Sequence, residues 1–388
     1  MIKAWKALPE TLRRYVVLTA KAGLTIGAFY LLFTHEIPAG DGRKILIWDS
    51  IVENMASITW AVFIPFILAA TAIKFVGIFS SMVRWHLLLI GQGIRFNFWH
   101  VVGSFLIGRF LGTFLPSTVG LDSYKLYDAA KFSGRVVEPA AATAVEKVMG
   151  LSGLFLCFLI ALPFGYPILY DVLGDGAGMT IVLTIGIAFV IVVGLFMTLF
   201  KPGIVEMMLG LLPAFGRKRL QGFLRRVSQS ATAYRGKAGI LVAVSILSFS
   251  VHFTTAVMYF FTALAIGAVG AEFWQVTFAS SIQIFATVLS PFTIAGEGIR
   301  EIAQTWLLQS RIGAGHAVLS AALGFWAAEA MTLVGAFFLW GRPADYKPST
   351  MVLDERLVEP APPAGAAGAE DVGPEASSSA RVEVREAS

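Results

Sequence analysis

Long apolar segments are the feature of this sequence that most restricts its fold. About 20 consecutive apolar residues are enough for a helix to cross a bilayer. The segments that meet this length cover residues 16–34, 58–82, 138–165, 180–200, 239–268 and 317–340. Only 14% of the residues are charged, against about 25% in a typical soluble domain. The sequence therefore predicts an all-α integral membrane protein with about six full transmembrane helices.

Two further apolar stretches, 98–116 and 273–291, are interrupted by Pro116 and Pro291. Proline ends or kinks a helix because it lacks the backbone N–H and its ring clashes with the preceding turn. Glycine and charged residues follow each proline. These stretches predict two re-entrant or broken-helix hairpins, and the sequence leaves open which of the two forms they take.

The charges of the loops predict the topology. Segment 201–237 carries eight Lys and Arg residues and one acidic residue, whereas segment 166–178 carries two Asp residues and no base. Loops rich in Lys and Arg stay in the cytoplasm, so we expect the N-terminus and 201–237 inside and 166–178 outside. For these loops to lie on the expected sides, 98–137 must begin and end on the same side of the membrane, and so must 273–314. Both segments are therefore predicted to be hairpins, which enter from opposite sides, and the C-terminus is predicted to lie inside.

The domain boundaries follow composition. Residues 1–342 are predicted to form one polytopic domain, with repeat halves of approximately 58–165 and 239–340. Segment 217–235, within the basic loop 201–237, resembles an amphipathic helix lying on anionic head groups. Residues 343–388 are rich in Pro, Ala, Gly, Ser and Glu, which predicts a disordered cytoplasmic tail.

An internal repeat links the two broken stretches. Each of the motifs FWHV at 98–101 and FWQV at 273–276 begins a stretch, and they are 175 positions apart. The same separation holds between Pro116 and Pro291, and between Lys125 and Arg300. Halves that enter from opposite sides form an inverted repeat, which typically surrounds a midplane binding site. Broken backbone at membrane depth needs cover from protein or water, so we predict a polar cavity.

The candidate residues are ionisable groups in or beside the broken stretches. A helix that begins after each break presents free N–H groups that favour an anion, and nearby bases add charge. The acids orient those bases, bind an amine or take up a proton; alternatively, the charges only pair with one another. The predicted cavity residues are Arg109, Asp122, Lys125, Glu146, Lys147, Glu297, Arg300, Glu301 and Glu329. The predicted hairpin-forming residues are Pro116, Gly120, Pro291, Gly296 and Gly298.

Four charged residues in or beside the apolar stretches have their own interpretations. Arg109 either lines the cavity or pairs with Glu146, which itself either pairs or reaches toward the membrane surface. Glu329 lies in the middle of a span and has no obvious partner in the sequence. Arg84, next to Trp85, resembles an interfacial anchor.

Other classes of function are less well supported. The five histidines are scattered without metal-site spacing, and no nucleotide-binding or nucleophile motif occurs. We therefore expect no metal, no cofactor and no catalytic residue. The basic residues cluster in loops between apolar segments, which argues against nucleic acid as a partner and indicates a membrane surface instead.

The sequence resembles the flippase-like family typified by the transmembrane region of lysylphosphatidylglycerol synthases. The motif residues that carry the resemblance are Pro116, Gly120, Asp122 and Lys125, then Glu146 and Lys147, then Pro291, Gly296, Gly298, Arg300 and Glu301. Leu121 stands where the family commonly has a second glycine, and lysines stand at 125 and 147 in place of arginine.

This resemblance implies a protein of the bacterial cytoplasmic membrane that translocates a phospholipid, glycolipid or hopanoid-type amphiphile. Lysyl transfer in the family belongs to a separate soluble domain, so we do not expect it here. Two alternatives remain open: a non-transporting scaffold for lipid or envelope assembly, and a membrane-embedded transferase that acts on a lipid head group.

Overall fold

A computed structural model describes residues 10–38, 44–114, 119–200, 226–268, 270–289, 296–343 and 346–347. Within these ranges, regular structure is almost entirely helical. The exception is a two-stranded antiparallel sheet of β1 (Glu36–Pro38) and β2 (Lys44–Leu46), in which Ile37 pairs with Ile45. The predicted all-α fold is confirmed.

The helices follow the hydrophobic segments closely. They are α1 (Glu10–Phe33), α2 (Ile47–Ala56), α3 (Trp60–Gly91), α4 (Phe98–Phe114), α5 (Val119–Ser133), α6 (Val137–Leu173), α7 (Ala177–Phe200), α8 (Ala238–Ala265), α9 (Phe273–Leu289), α10 (Ile299–Ile312), α11 (Ala314–Glu329) and α12 (Thr332–Trp340). A 3₁₀ turn at Gly174–Gly176 joins α6 to α7, and a second lies at Thr232–Tyr234.

Four helical stretches in the described part of the chain are long and apolar enough to cross a membrane. They are Trp60–Gly91, Val137–Gly194, Ala238–Ala265 and Ala314–Trp340. The second stretch contains the predicted span 138–165 and most of the predicted span 180–200. The predicted span 16–34 falls in α1, whose apolar part is the shorter helix Ala22–Phe33. The predicted span 317–340 is divided, since α11 ends at Glu329 and α12 begins at Thr332.

The internal repeat is visible in the helix boundaries. Helices α4 and α9 both have 17 residues, and both their first and their last residues are 175 positions apart. Helices α3 and α8 also end alike. Gly93 and Gly267 each have φ of 74°, and the next residue donates its N–H to a carbonyl five residues earlier. This is the Schellman pattern of a helix C-terminus.

The two halves run in opposite directions. Along the interface between α3 and α8, the partner's number falls as the α3 number rises. Lys74 binds Thr255, Ser80 lies 3.3 Å from Ser250, and Arg84 binds Ser248. Because α8 is the repeat counterpart of α3, this antiparallel packing makes the repeat an inverted one.

Small residues allow the central helices to approach closely. A Cβ atom added to Gly77 would overlap Thr254 on α8, and one added to Gly153 would lie 2.6 Å from the Ser248 carbonyl carbon. Small residues at such contacts are typical of helix packing within membranes, where van der Waals contact drives association. The resulting interface holds α3, α6 and α8 together around the charged residues described below.

The segment before α8 packs against protein. Tyr234 is fully buried, and its hydroxyl donates to the Leu88 carbonyl at 2.7 Å. Ser230 exchanges hydrogen bonds with Gln92 near the end of α3. The predicted interfacial helix 217–235 is thus tied to the bundle at its C-terminal end, while positions 217–225 lie outside the described residues.

The chain beyond α12 also contacts the bundle. Of the predicted tail 343–388, the structure describes Pro343, Tyr346 and Lys347. Tyr346 stacks on the imidazole of His100, with ring centroids 5.6 Å apart. The start of this segment is therefore packed on α4; the rest of the tail lies outside the described residues.

Candidate functional site

The first charged group of the site is centred on Glu146 of α6. Its Oε2 accepts a hydrogen bond from Lys125 Nζ at 2.7 Å, and its Oε1 accepts one from Arg84 Nη2 at 3.0 Å. Lys125 comes from α5 and Arg84 from α3, so one carboxylate joins three helices. The side chains of Glu146, Lys125 and Arg84 are 4%, 1% and 10% exposed, which makes this a buried ion-pair network.

The network continues toward the surface through Asp122. The Asp122 carboxylate lies 3.4 Å from Lys125 and 2.5 Å from Lys147. Lys147 is 58% exposed, so charges of alternating sign lead from Arg84 in the core to Lys147 at the edge. We call Arg84, Asp122, Lys125, Glu146 and Lys147 the Glu146 network.

The second charged group lies at the start of α10. Arg300 is buried, its Nε lies 3.9 Å from Glu301 Oε1, and its guanidinium stacks 4.4 Å from the Phe325 ring. Glu301 Oε2 accepts the Gly298 N–H at 2.7 Å, which fixes the first turn of the helix. Glu297 is half-buried and interacts electrostatically with Arg300 and Glu301.

A third group lies between these two. Arg109 Nη2 on α4 donates to Glu329 Oε1 at 3.1 Å and to the Ala328 carbonyl at 3.2 Å. The Thr332 hydroxyl donates to the other Glu329 oxygen at 2.5 Å. Lys74 of α3 interacts electrostatically with Arg109, Glu329 and Arg300. We call Lys74, Arg109 and Glu329 the central cluster.

The hairpin glycines divide into two cases. Gly296 and Gly298 have φ of 76° and 84°, a conformation that favours glycine, and α10 begins directly after them. Gly120 instead lies inside the first turn of α5 and is buried. Pro116 and Pro291 lie outside the described residues.

The structure differs from one alternative given for Arg109, pairing with Glu146, and from the prediction for Arg84. Arg109 binds Glu329 rather than Glu146, because Glu146 is already occupied by Lys125 and Arg84. The prediction that Arg84 is an interfacial anchor is wrong. Helix α3 continues to Gly91, beyond the predicted end at 82, so Arg84 lies inside the bundle and is 8% exposed.

Sequence reasoning missed Lys74. This lysine is the fifteenth residue of the 32-residue helix α3, in the middle of an apolar segment. An ionisable residue at membrane depth is a functional candidate by default. The position of Lys74 within the predicted span 58–82 could therefore have identified it from the sequence.

A group of polar residues beside the end of α12 was also missed. His100 Nε2 lies 2.7 Å from Asp128 Oδ2, Asp128 Oδ1 accepts from Arg342 Nη2 at 3.0 Å, and Arg342 Nη1 donates to the Tyr124 hydroxyl at 2.7 Å. A cavity of about 650 Å³ adjoins it, lined by residues of α4, of α12 and of the segment that follows. No sequence spacing predicts the contacts of Arg342, because they join positions more than 200 residues apart.

The three charged groups are suited to holding a charged head group. Asp122, Glu146, Glu301 and Glu329 each lie within ion-pair distance of a base. The bases of the three groups come from five different helices, α3, α4, α5, α6 and α10. Within the described ranges, no three His, Cys, Asp or Glu side chains are placed to hold a metal ion. The geometry therefore favours ionic recognition of a ligand by side chains.

Comparison with known proteins agrees with this architecture. The profile of the family described as Lysylphosphatidylglycerol synthase TM region matches residues 21–336. Curated protein sequences give no match. The matched range includes the first repeat half, nearly all of the second and all three charged groups. The match associates the chain with lipid biogenesis or transport at a membrane. The chain is a multi-pass membrane protein that belongs to the family of the lysylphosphatidylglycerol synthase transmembrane region.

Proposed function

We propose that this protein translocates a lipid-like amphiphile across or out of the bacterial cytoplasmic membrane. The observation that carries the proposal is the antiparallel packing of the two repeat halves around the central cluster. Inverted repeats with interrupted helices typically bind their substrate at the interface between the halves, and rocking of one half against the other gives alternating access.

The charged groups support a transport site over a purely structural one. A charge placed at the bilayer centre costs about 3 kcal/mol or more, so charged side chains are retained there chiefly for function. Five residues of the Glu146 network and three of the central cluster lie in the helices of one bundle. An amphiphile whose head group passes between them keeps polar contacts while its chains remain in the lipid.

The proposal includes no covalent chemistry. Acids and bases in each charged group bind one another as ion pairs, among them Lys125 with Glu146, Arg109 with Glu329 and Arg300 with Glu301. This arrangement suits head-group recognition and release. We further propose that 201–237 contacts anionic head groups on the cytoplasmic face and that both termini lie in the cytoplasm.

Reconstitution in liposomes tests the proposal. Fluorescent phospholipids, glycolipids and hopanoid-type lipids are followed separately for exchange between leaflets, with protein-free liposomes as the baseline. We expect one class to exchange, and Arg300→Ala to slow that exchange roughly tenfold or more, because a hydrogen bond to a charged group is worth about 1.5–3 kcal/mol.

Lys44→Ala is the matched control. Lys44 lies on β2, is 75% exposed and pairs with Glu36 at 3.6 Å, away from the charged groups. The rate of lipid exchange with the Lys44→Ala variant is expected to equal that with the wild type. Failure of every lipid class to exchange, or equal rates for Arg300→Ala and the wild type in folded protein, would contradict the proposal.

A further inference from the structure

Five buried polar side chains of α9 and α10 carry an oxygen that has no hydrogen-bond partner among the residues that the structure describes. None of the five residues is more than 7% exposed. They are Gln275, Ser280 and Gln283 on α9, and Gln304 and Thr305 on α10, and we call them the polar row. Buried polar atoms are normally satisfied by protein or by ordered water, so we expect water molecules to lie along the polar row.

The first half of the repeat shows that such a hairpin does not need these side chains in order to fold. Apolar residues or glycine occupy the equivalent positions of α4 and α5. Counted 175 positions back from Ser280, Gln283, Gln304 and Thr305, they are Phe105, Gly108, Ala129 and Ala130. The polar row is therefore a property of the second half alone, and the shared fold does not explain it.

The inner end of the polar row reaches the ionisable residues at the start of α10. Gln283 Nε2 donates to the Tyr259 hydroxyl at 2.8 Å, and Arg300 also donates to this hydroxyl. Gln304 lies one turn after Arg300 and Glu301 on the same helix. The row thus ends beside Glu301, a buried carboxylate.

The other end of the polar row lies near the surface. Gln275 is one turn inside the exposed residue Glu272, and it lies about 12 Å from Gln283 along α9 at 1.5 Å per residue. At the same end of the hairpin, Arg311 binds Asp171 at 2.7 Å. Asp171 belongs to the acidic segment predicted to lie outside, so the row leads from the predicted outer face to the middle of the bundle.

We propose that the polar row carries protons from the outer face to Glu301 and that their uptake drives the movement of the lipid. This inference rests on the proposed function and names its coupling ion. Buried acids in membrane helices commonly act as proton relays, and inverted repeats place their coupling-ion sites near the midplane.

The proton step involves one oxygen of Glu301. Its Oε2 already accepts the Gly298 N–H, so Oε1, which lies 3.9 Å from Arg300 Nε, takes up the proton. The carboxylate becomes a neutral carboxyl group, and Arg300 retains Glu297 as a charged partner. The same oxygen releases the proton when the site opens to the opposite face.

The groups around Glu301 act on this uptake in both directions. Glu297 favours it, because two nearby carboxylates resist being charged together, and Arg300 opposes it. Tyr259 faces Glu301 from α8. Helix α9 has no ionisable side chain. From α6 and α11, Asp171 and His316 meet α10 at its far end, Glu329 of α11 is paired with Arg109, and Lys74 of α3 interacts with Arg300.

Proteoliposomes with an imposed pH difference test the coupling. A tracer of the lipid class that exchanges is followed to steady state, with the membrane potential held at zero by potassium and valinomycin. With one proton per lipid, a difference of one pH unit sustains a roughly tenfold ratio of tracer between the leaflets. We expect this ratio for the wild type and a ratio of one for Glu301→Gln, which keeps an oxygen for the Gly298 N–H and cannot take up a proton.

Two further variants test the polar row itself. Gln275→Leu and Gln304→Leu place an apolar side chain of similar size at its outer and inner ends, and each is expected to slow accumulation roughly tenfold or more, since a water chain needs polar partners. Thr277→Val is the matched control, because the buried Thr277 hydroxyl donates to the Phe273 carbonyl of its own helix at 2.8 Å. Equal losses in Thr277→Val and in both leucine variants overturn the role of the row.

Infrared difference spectra of the detergent-solubilised protein, recorded on acidification, test proton uptake without lipid movement. We expect a carbonyl band of a protonated carboxyl group that the wild type has and Glu301→Gln lacks. If leaflet exchange is absent but this band depends on Glu301, transport is contradicted and the proton site stands. If exchange occurs while the tracer ratio stays at one, or follows a sodium gradient instead, transport stands and proton coupling is overturned. An identical band in Glu301→Gln also overturns it.

Discussion

Glu146 is a residue on which two buried cations depend. It is the acid shared by Lys125 and Arg84, which come from different helices. Lys125 also lies 4.7 Å from the centre of the Trp85 ring, and Arg84 also donates to Ser248. Removal of this carboxylate takes the ion-pair partner from Arg84 and leaves Lys125 with Asp122 alone, whereas removal of a peripheral base leaves the central pairs in place.

We predict that Glu146→Gln lowers the free energy of unfolding by about 3–5 kcal/mol, the usual cost of breaking a buried ion pair from one side. Lys147→Met is the matched control, because Lys147 is 58% exposed and pairs with the outer acid Asp122. Exposed pairs contribute less than about 1 kcal/mol. Unfolding in mixed detergent–SDS micelles measures the free energy of unfolding of both variants. If both variants lose the same free energy of unfolding, the buried network contributes no more to stability than the exposed pair.

Among the elements, the turn between α9 and α10 depends on glycine in a way that a matched substitution can test. Gly296 and Gly93 have nearly equal φ, 76° and 74°. A Cβ at Gly296 overlaps the Thr287 side chain, whereas a Cβ at Gly93 has nothing within 4 Å. The backbone strain is therefore the same at the two positions, and the surroundings differ.

We expect Gly93→Ala to cost about 1–2 kcal/mol, the strain of a left-handed alanine. Gly296→Ala is expected to cost more and to slow lipid exchange, since Thr287 and the hairpin must shift. Melting temperatures in detergent and exchange rates in liposomes measure the difference. Indistinguishable melting of the two variants would show that the hairpin is loosely packed at Gly296.

The sequence predicted the helices better than it predicted the contacts between side chains. The 175-residue repeat predicted that α4 and α9 correspond, and their boundaries agree at both ends. It did not predict that Arg109 meets Glu329, because these residues belong to opposite halves and their pairing depends on how the halves pack. Lys125 and Arg300 occupy equivalent repeat positions, yet Lys125 lies in the second turn of α5 and Arg300 in the first turn of α10.

At the scale of the whole molecule, charge counts and packing lead independently to the same architecture. The excess of Lys and Arg in 201–237 predicts that the two hairpins enter the membrane from opposite sides. The antiparallel contacts between α3 and α8 show that the two repeat halves are inverted relative to each other. Loop composition and side-chain contacts inside the bundle are separate properties of the chain, and both indicate an inverted repeat.

The orientation in the membrane follows from the same loop charges and gives the last prediction. Asp175 lies in the acidic turn after α6, and Ala233 lies in the basic segment before α8; both are exposed. We predict that a membrane-impermeant maleimide labels Asp175→Cys in intact cells and labels Ala233→Cys only after permeabilisation. The native Cys157 is buried, so its background labelling is expected to be low.

The comparison between the two cysteine positions decides the orientation because α7 is the described helix between them. If Ala233→Cys is labelled in intact cells and Asp175→Cys is protected, the protein has the opposite orientation in the membrane. In that case the basic loop faces outward, against the rule that Lys- and Arg-rich loops stay in the cytoplasm. Labelling of both positions in intact cells would place them on the same side, and α7 would then not cross the membrane. The inverted repeat would survive either result, because the antiparallel contacts of α3 with α8 do not depend on which side faces the cytoplasm.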